Sequence, residues 1–147
     1  MKASKLLLKL KKCMEKYKPK MQDSGEKDSL NQIMSKYNLE NFNEIMNFQP
    51  DKLDEEIDEV KLNDLKNRID HYFSLYAPED NDFKEFIKAI SIYLTFIAKK
   101  PLHPPGIVFS NDERVYKKDN TYYCTGKRTF IKDNRSLCKY CVCKGID

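Results

Sequence analysis

Glycine is scarce in this sequence, with four residues in 147, and there are only six prolines and two histidines. So little Gly and Pro excludes a low-complexity or collagen-like chain. With 40% hydrophobic and 34% charged residues the composition is that of a globular protein with a polar surface. Long apolar runs are missing too. The longest, 89–98, is interrupted by Ser91, Tyr93 and Thr95 and is far short of the ~20 residues of a spanning helix. The N-terminus begins like a signal peptide, but Lys9, Lys11 and Lys12 break its apolar stretch and no small-residue cleavage site follows. A cytoplasmic protein without a transmembrane segment is expected, and the length suits one domain.

The net charge of +4 is unevenly spread. Residues 1–20 hold eight Lys against one Glu, residues 21–100 ten basic against seventeen acidic, and residues 101–147 nine basic against five acidic. A basic arm, an acidic body and a basic tail are three zones with different partners.

Helical periodicity runs through the first hundred residues. Leu7, Leu10, Met14 and Tyr17 predict a helix over 4–18, stopped by Pro19. Residues 18–29 read as a loop. Leu30, Ile33, Met34 and Tyr37 predict a second helix, and Asn41 starts a third that ends at Gln49-Pro50. The stripe Leu62, Leu65, Ile69, Tyr72, Phe73, Tyr76 predicts a helix within 53–76. Phe83, Phe86, Ile87, Ile90, Tyr93, Leu94 and Ile97 predict its partner over 82–99, capped by Asp82 with Glu85 and ended by Pro101. The expected fold is mainly α: a small helical bundle over 1–100, its aromatics serving as core. A Cys/His-rich, metal-stapled hairpin and loop subdomain over 101–147 packs on it. The hairpin spans Val115 to Cys124 with its turn near Asp119-Asn120.

Four of the five cysteines, Cys124, Cys138, Cys141 and Cys143, lie in the tail, whose last segment is too short for its own hydrophobic core. In a reducing compartment such clustering points to metal binding. The C-x2-C pair Cys138 and Cys141, with Cys124 from the hairpin, gives three ligands. The fourth is His103 or Cys143, and the spacing favours His103, because one ion rarely takes all three sulfurs of C-x2-C-x-C. A closed structural zinc site is expected, with an iron–sulfur cluster as the alternative. Only six residues follow Cys141, too few for the helix of a catalytic dithiol. Around the cysteines stand Asp119 and Asp133 but no second histidine, so a binding protein is favoured over an enzyme. Lys127, Arg128, Lys132, Arg135 and Lys139, interleaved with Tyr122, Tyr123, Phe130 and Tyr140, either balance thiolate charge or contact a protein or nucleic acid. Cys13 reads as a semi-buried apolar residue and His71 as a surface histidine.

The segments ISIYLTFIAKKPLHPPG from Ile90, TYYC ending at Cys124, and KDNRSLCKYC ending at Cys141 resemble an uncharacterised family found mainly in methanogenic archaea, domain of unknown function 2115. The likeness is most specific over the last third of the chain. It implies a site made of the PLHP histidine and three cysteines, here His103, Cys124, Cys138 and Cys141, and it implies no activity. Cys143 departs from that pattern.

Overall fold

The computed structural model describes residues 1–17, 30–109, 112–133 and 136–145. The loop expected at 18–29 and Arg135 lie outside them. The described chain is mainly helical with a small sheet. Helix α1 (Ala3–Glu15) buries Ala3, Leu6, Leu7, Leu10 and Met14 on one face, as the periodicity requires. Its entry is tied to residues 55–57, where Ala3 donates its amide to Glu55 O and Ile57 donates to Met1 O.

Helix α2 runs unbroken through Leu30–Asn47, where two helices were expected. Asn41 is a residue type suited to a helix start, which is why the sequence suggests a boundary there. In the fold Asn41 is fully buried, and its Nδ2 donates to Tyr37 O one turn back, at 2.9 Å. Such back-bonding satisfies the amide nitrogen inside a helix, whereas the buried Oδ1 finds no partner among the described residues. A single 3-10 turn, Pro50–Lys52, follows.

Helix α3 (Glu59–Tyr76) starts at Asp58, whose carboxylate accepts the amide of Lys61. Helix α4 (Asn81–Ile92) is capped by Asp80, which accepts from Phe83 N, two residues before the Asp82 expected for that role. The last turn of α4 opens into a π-helix over Tyr93–Ala98, and Lys99 leaves it in the left-handed conformation with φ 54°. Ser91 to Phe96 are all buried, so this stretch is enclosed on every side.

Helix α1 packs on α2, α4 and the π turn, and α3 packs on α4. The main core joins Leu7, Met14, Ile45, Leu62, Leu65, Ile69, Ile90, Tyr93 and Leu94. The α3 stripe is narrower than its sequence suggests. Leu62, Leu65, Ile69 and Phe73 are buried, whereas Tyr72 and Tyr76 are 43% and 53% exposed and their rings meet at a tilt at the helix end.

Beyond Pro101 the chain turns at Pro104–Gly106, where Gly106 takes φ 94°. Strands β1 (Val115–Lys118) and β2 (Thr121–Cys124) form the expected hairpin. Asp119 and Asn120 both adopt positive φ, as a two-residue hairpin turn demands. A one-turn helix α5 (Lys127–Phe130) follows. The two-residue strand β3 (Lys144–Gly145) then pairs in parallel with β2 at Tyr123 and Cys124. The tail does have a small core, formed by Ile107, Val115 and Cys143 with Met34 of α2 against them. Tyr140 reaches into the main core instead. Among the described residues no helix is long and apolar enough to cross a membrane.

Candidate functional site

The helical body and the tail form between them an open-sided cavity of about 630 Å³. Its wall on the body side is aliphatic, from Met34 on α2, Ile87 and Ile90 on α4, and Leu94 on the π turn. On the other side the chain supplies His103, Cys124, Cys138, Cys141 and Cys143. All five residues singled out by residue type and spacing thus line one space, although the chain between the first and last spans forty residues.

Local structure explains each position. Tyr37 donates its hydroxyl to Pro101 O at 2.6 Å and holds the Leu102-His103 segment against α2. His103 is half-buried, with its ring edge-on to Phe109 at 5.0 Å, and burial alone holds its imidazole below the ordinary pKa. Cys124 ends β2. The tight Thr125-Gly126 turn after it aims the amides of Gly126 and Lys127 at its sulfur. Burial, working against those bonds, raises the Cys124 thiol, and the neighbouring Cys138 and Cys141 add to the rise.

The C-x2-C segment is a compact turn. Tyr140 N donates to Leu137 O, Cys141 N to Cys138 O, and Cys138 N to Ser136 Oγ at 3.0 Å. Cys141 and Cys143 hydrogen-bond through their side chains, and the bond favours Cys141 as thiolate and Cys143 as donor. That bond is the largest cause lowering the Cys141 thiol below its ordinary value. The backbone amides of Leu102 and Cys143 also donate to Cys141 Sγ, so the Pro101–Gly106 turn touches the site through main chain. Hydrogen bonds to a thiolate favour the charged form over the neutral one. Of the four tail sulfurs, Cys141 is the one whose surroundings favour the charged form. Among the described residues, however, no three side chains of His, Cys, Asp or Glu stand together as ready ligands of one metal ion. The thiols border the cavity without converging on one point.

The basic residues of the tail are distributed differently from a single binding face. Lys127 Nζ donates to the carbonyls of Cys141 and Cys143 at 2.7 and 2.6 Å, pinning the C-x-C segment, and its cation lowers the Cys141 thiol. Lys139 lies over the Tyr140 ring and 3.7 Å from Asp64 of α3. The Arg128 side chain crosses Gly145, where a Cβ would meet its Cγ at 2.9 Å. Lys132 is exposed. Tyr122 packs on the small tail core under Lys117, whereas Tyr123 stacks on Tyr116 across the hairpin at 5.4 Å. Cys13 is half-buried against the main core, and His71 is exposed.

Sequence spacing marked the thiols, and composition marked Lys127 as a charge near them, but neither showed its bonds to main-chain carbonyls or the aliphatic wall, whose residues read as ordinary core. Gly126, two residues after Cys124, was the one visible sign of the amide-lined turn.

The chain is similar in sequence to several archaeal proteins. A protein of Methanocaldococcus jannaschii is 45% identical over 117 residues, covering 79% of this chain and 71% of its own. One from Methanococcus maripaludis is 29% identical over 111 residues, covering 72% and 67%. One from Methanothermobacter thermautotrophicus is 31% identical over 104 residues, covering 69% and 63%. All three are named only by an uncharacterised family. No solved structure matches the chain. The model of the family described as "uncharacterized protein conserved in archaea" (domain of unknown function 2115) matches residues 3–146, and the chain belongs to that family.

Proposed function

We propose that the cavity is a metal–thiolate site that staples the tail to the helical body, in a non-catalytic protein acting through contacts with other macromolecules. The observation that carries this reading is that Cys124, Cys138, Cys141 and Cys143 line one cavity wall, with neighbouring backbone amides favouring the charged forms of Cys124 and Cys141. A coordinating cation would deprotonate the thiols that burial raises and would offset the resulting charge. Cys124, Cys138 and Cys141 are three ligands. For the fourth place Cys143 is favoured over His103, because its side chain already bonds Cys141 whereas His103 packs on Phe109. That contact answers the spacing objection to C-x-C. Closed four-coordinate zinc supplies folding energy, on the order of 10–16 kcal/mol in finger-like peptides. Thiols kept for a metal suit a reducing, cytoplasmic setting.

A second reading, an iron–sulfur cluster in an electron-transfer or cluster-handling protein, is favoured by one feature. Thiols spread around about 630 Å³ suit a polynuclear group better than a single ion.

Anaerobic purification followed by absorption spectroscopy and elemental analysis tests both. A colourless protein with one zinc supports the first reading. Broad visible absorption with stoichiometric iron supports the second. Metal-free protein whose tail stays as ordered as in the untreated sample defeats both. Cys143→Ser is expected to lower metal affinity more than His103→Ala, and the reverse order returns the fourth place to His103.

A further inference from the structure

A second feature stands apart from the cavity. Helix α1 spends its apolar residues on the core: Leu6, Leu7, Leu10 and Met14 are at most 5% exposed. On the opposite side Lys5, Lys9, Lys12 and Lys16 are all exposed. At 3.6 residues per turn these four positions fall within an arc of about 60°, in a row about 16 Å long. Other lysines of the arm are occupied. Lys2 pairs with Asp54, and Lys11 donates to Phe48 O. Among the described residues no carboxylate pairs with Lys5, Lys9 or Lys12, and Lys16 lies beside the Tyr17 ring.

We propose that this lysine row docks the phosphate backbone of double-stranded nucleic acid without reading its sequence. A rigid row of cations matches a rigid polyanion, and a duplex carries one charge per roughly 1.7 Å of axis. Leu8 is the single large apolar residue exposed on α1, and the rest of its apolar face is committed to the core. The helix therefore has no face to insert into a bilayer. The arc also has no aromatic side chain on which the bases of a single strand would stack. What it offers is charge alone, and charge alone recognises phosphate.

The test is fluorescence anisotropy of the full chain with a labelled 20-base-pair DNA duplex at 50 and 200 mM KCl. Four phosphate contacts give a salt slope of about −3.6, so affinity falls about 150-fold between the two salts. The double variant K9Q/K12Q is expected to lose about half that slope and to fall only about tenfold. Both positions are exposed and Gln is a good helix former, so a melting curve matching the parent shows the variant folded. No duplex binding at 50 mM overturns the proposal. A slope unchanged in the folded variant overturns it as well, by placing the contact elsewhere. Vesicles of phosphatidylcholine and phosphatidylglycerol provide the control: binding to them without binding to duplex overturns the proposal in favour of an anionic membrane surface.

Discussion

Tyr140 links the tail to α3. Its hydroxyl donates to Asp64 Oδ2 and its ring lies under the Arg68 guanidinium at 5.4 Å. Arg68 in turn donates to Ser136 O at 3.2 Å. The Tyr140 hydroxyl, followed by the charges of Lys139 and Arg68, holds the Asp64 carboxyl below its ordinary value near 3.8. An unfolded chain therefore takes up that proton first as pH falls. The contribution of Asp64 is complete above about pH 4 and is lost as pH drops through the lower folded value. Near-UV circular dichroism should show the tail loosening in that acid range, and Asp64→Asn should flatten the transition. Tyr140→Ala, which also empties a core position, should cost about 3–5 kcal/mol in denaturant unfolding. None of this was legible in the sequence, because the partners stand 76 residues apart and no spacing rule joins them. Cys138 and Cys141 were legible because C-x2-C is local and needs only a turn.

At the scale of elements, the helices were legible wherever one apolar face served one core. Errors came where a polar residue had two uses. Asn41 looked like a helix start and became an internal bond to Tyr37, which merged two expected helices into α2. Asp82 looked like a cap, but Asp80 accepts from Phe83 N, and Asp58 plays the same part for α3 at 3.1 Å. Asp58→Ala is expected to destabilise the protein by about 1 kcal/mol, measured by chemical denaturation, from the loss of one amide acceptor in the first turn. Strand β3 had no signature at all. Two residues carry no alternation, and their pairing with β2 depends on the turn geometry that precedes them. Aromatics were over-assigned to the core at the α3–α4 end, where Tyr72, Tyr76 and Phe83 remain substantially exposed. Periodicity records which face is apolar and does not record how far the neighbouring helix extends along it.

For the molecule as a whole, the body and the tail differ in what holds them. The body has a continuous core through α1 to α4, whereas the tail core is three buried residues with a few half-buried neighbours. If a metal completes the site, chelation should release the tail and spare the body. Limited proteolysis should then cut beyond Pro101 while far-UV circular dichroism keeps most of its helical signal. Cleavage spread evenly over both parts would show that the two unfold together. The wide turn at Tyr93–Ala98 governs how these parts are indexed to each other. A helix of this kind holds one residue more than its neighbours' spacing accounts for, and each residue subtracted rotates all that follows by about 100°. Deleting Thr95 would let the segment close into an ordinary α-turn, with the α1–α3 core intact and Pro101 to Gly106 facing a new direction. Tyr37 would then lose Pro101 O, and Leu102 would no longer reach Cys141. The expected product is a folded body with its tail out of phase. The length of α4 is thus a tuned angle, counted in single residues, and gaps placed there in comparisons among relatives would separate chains that can assemble this cavity from chains that cannot.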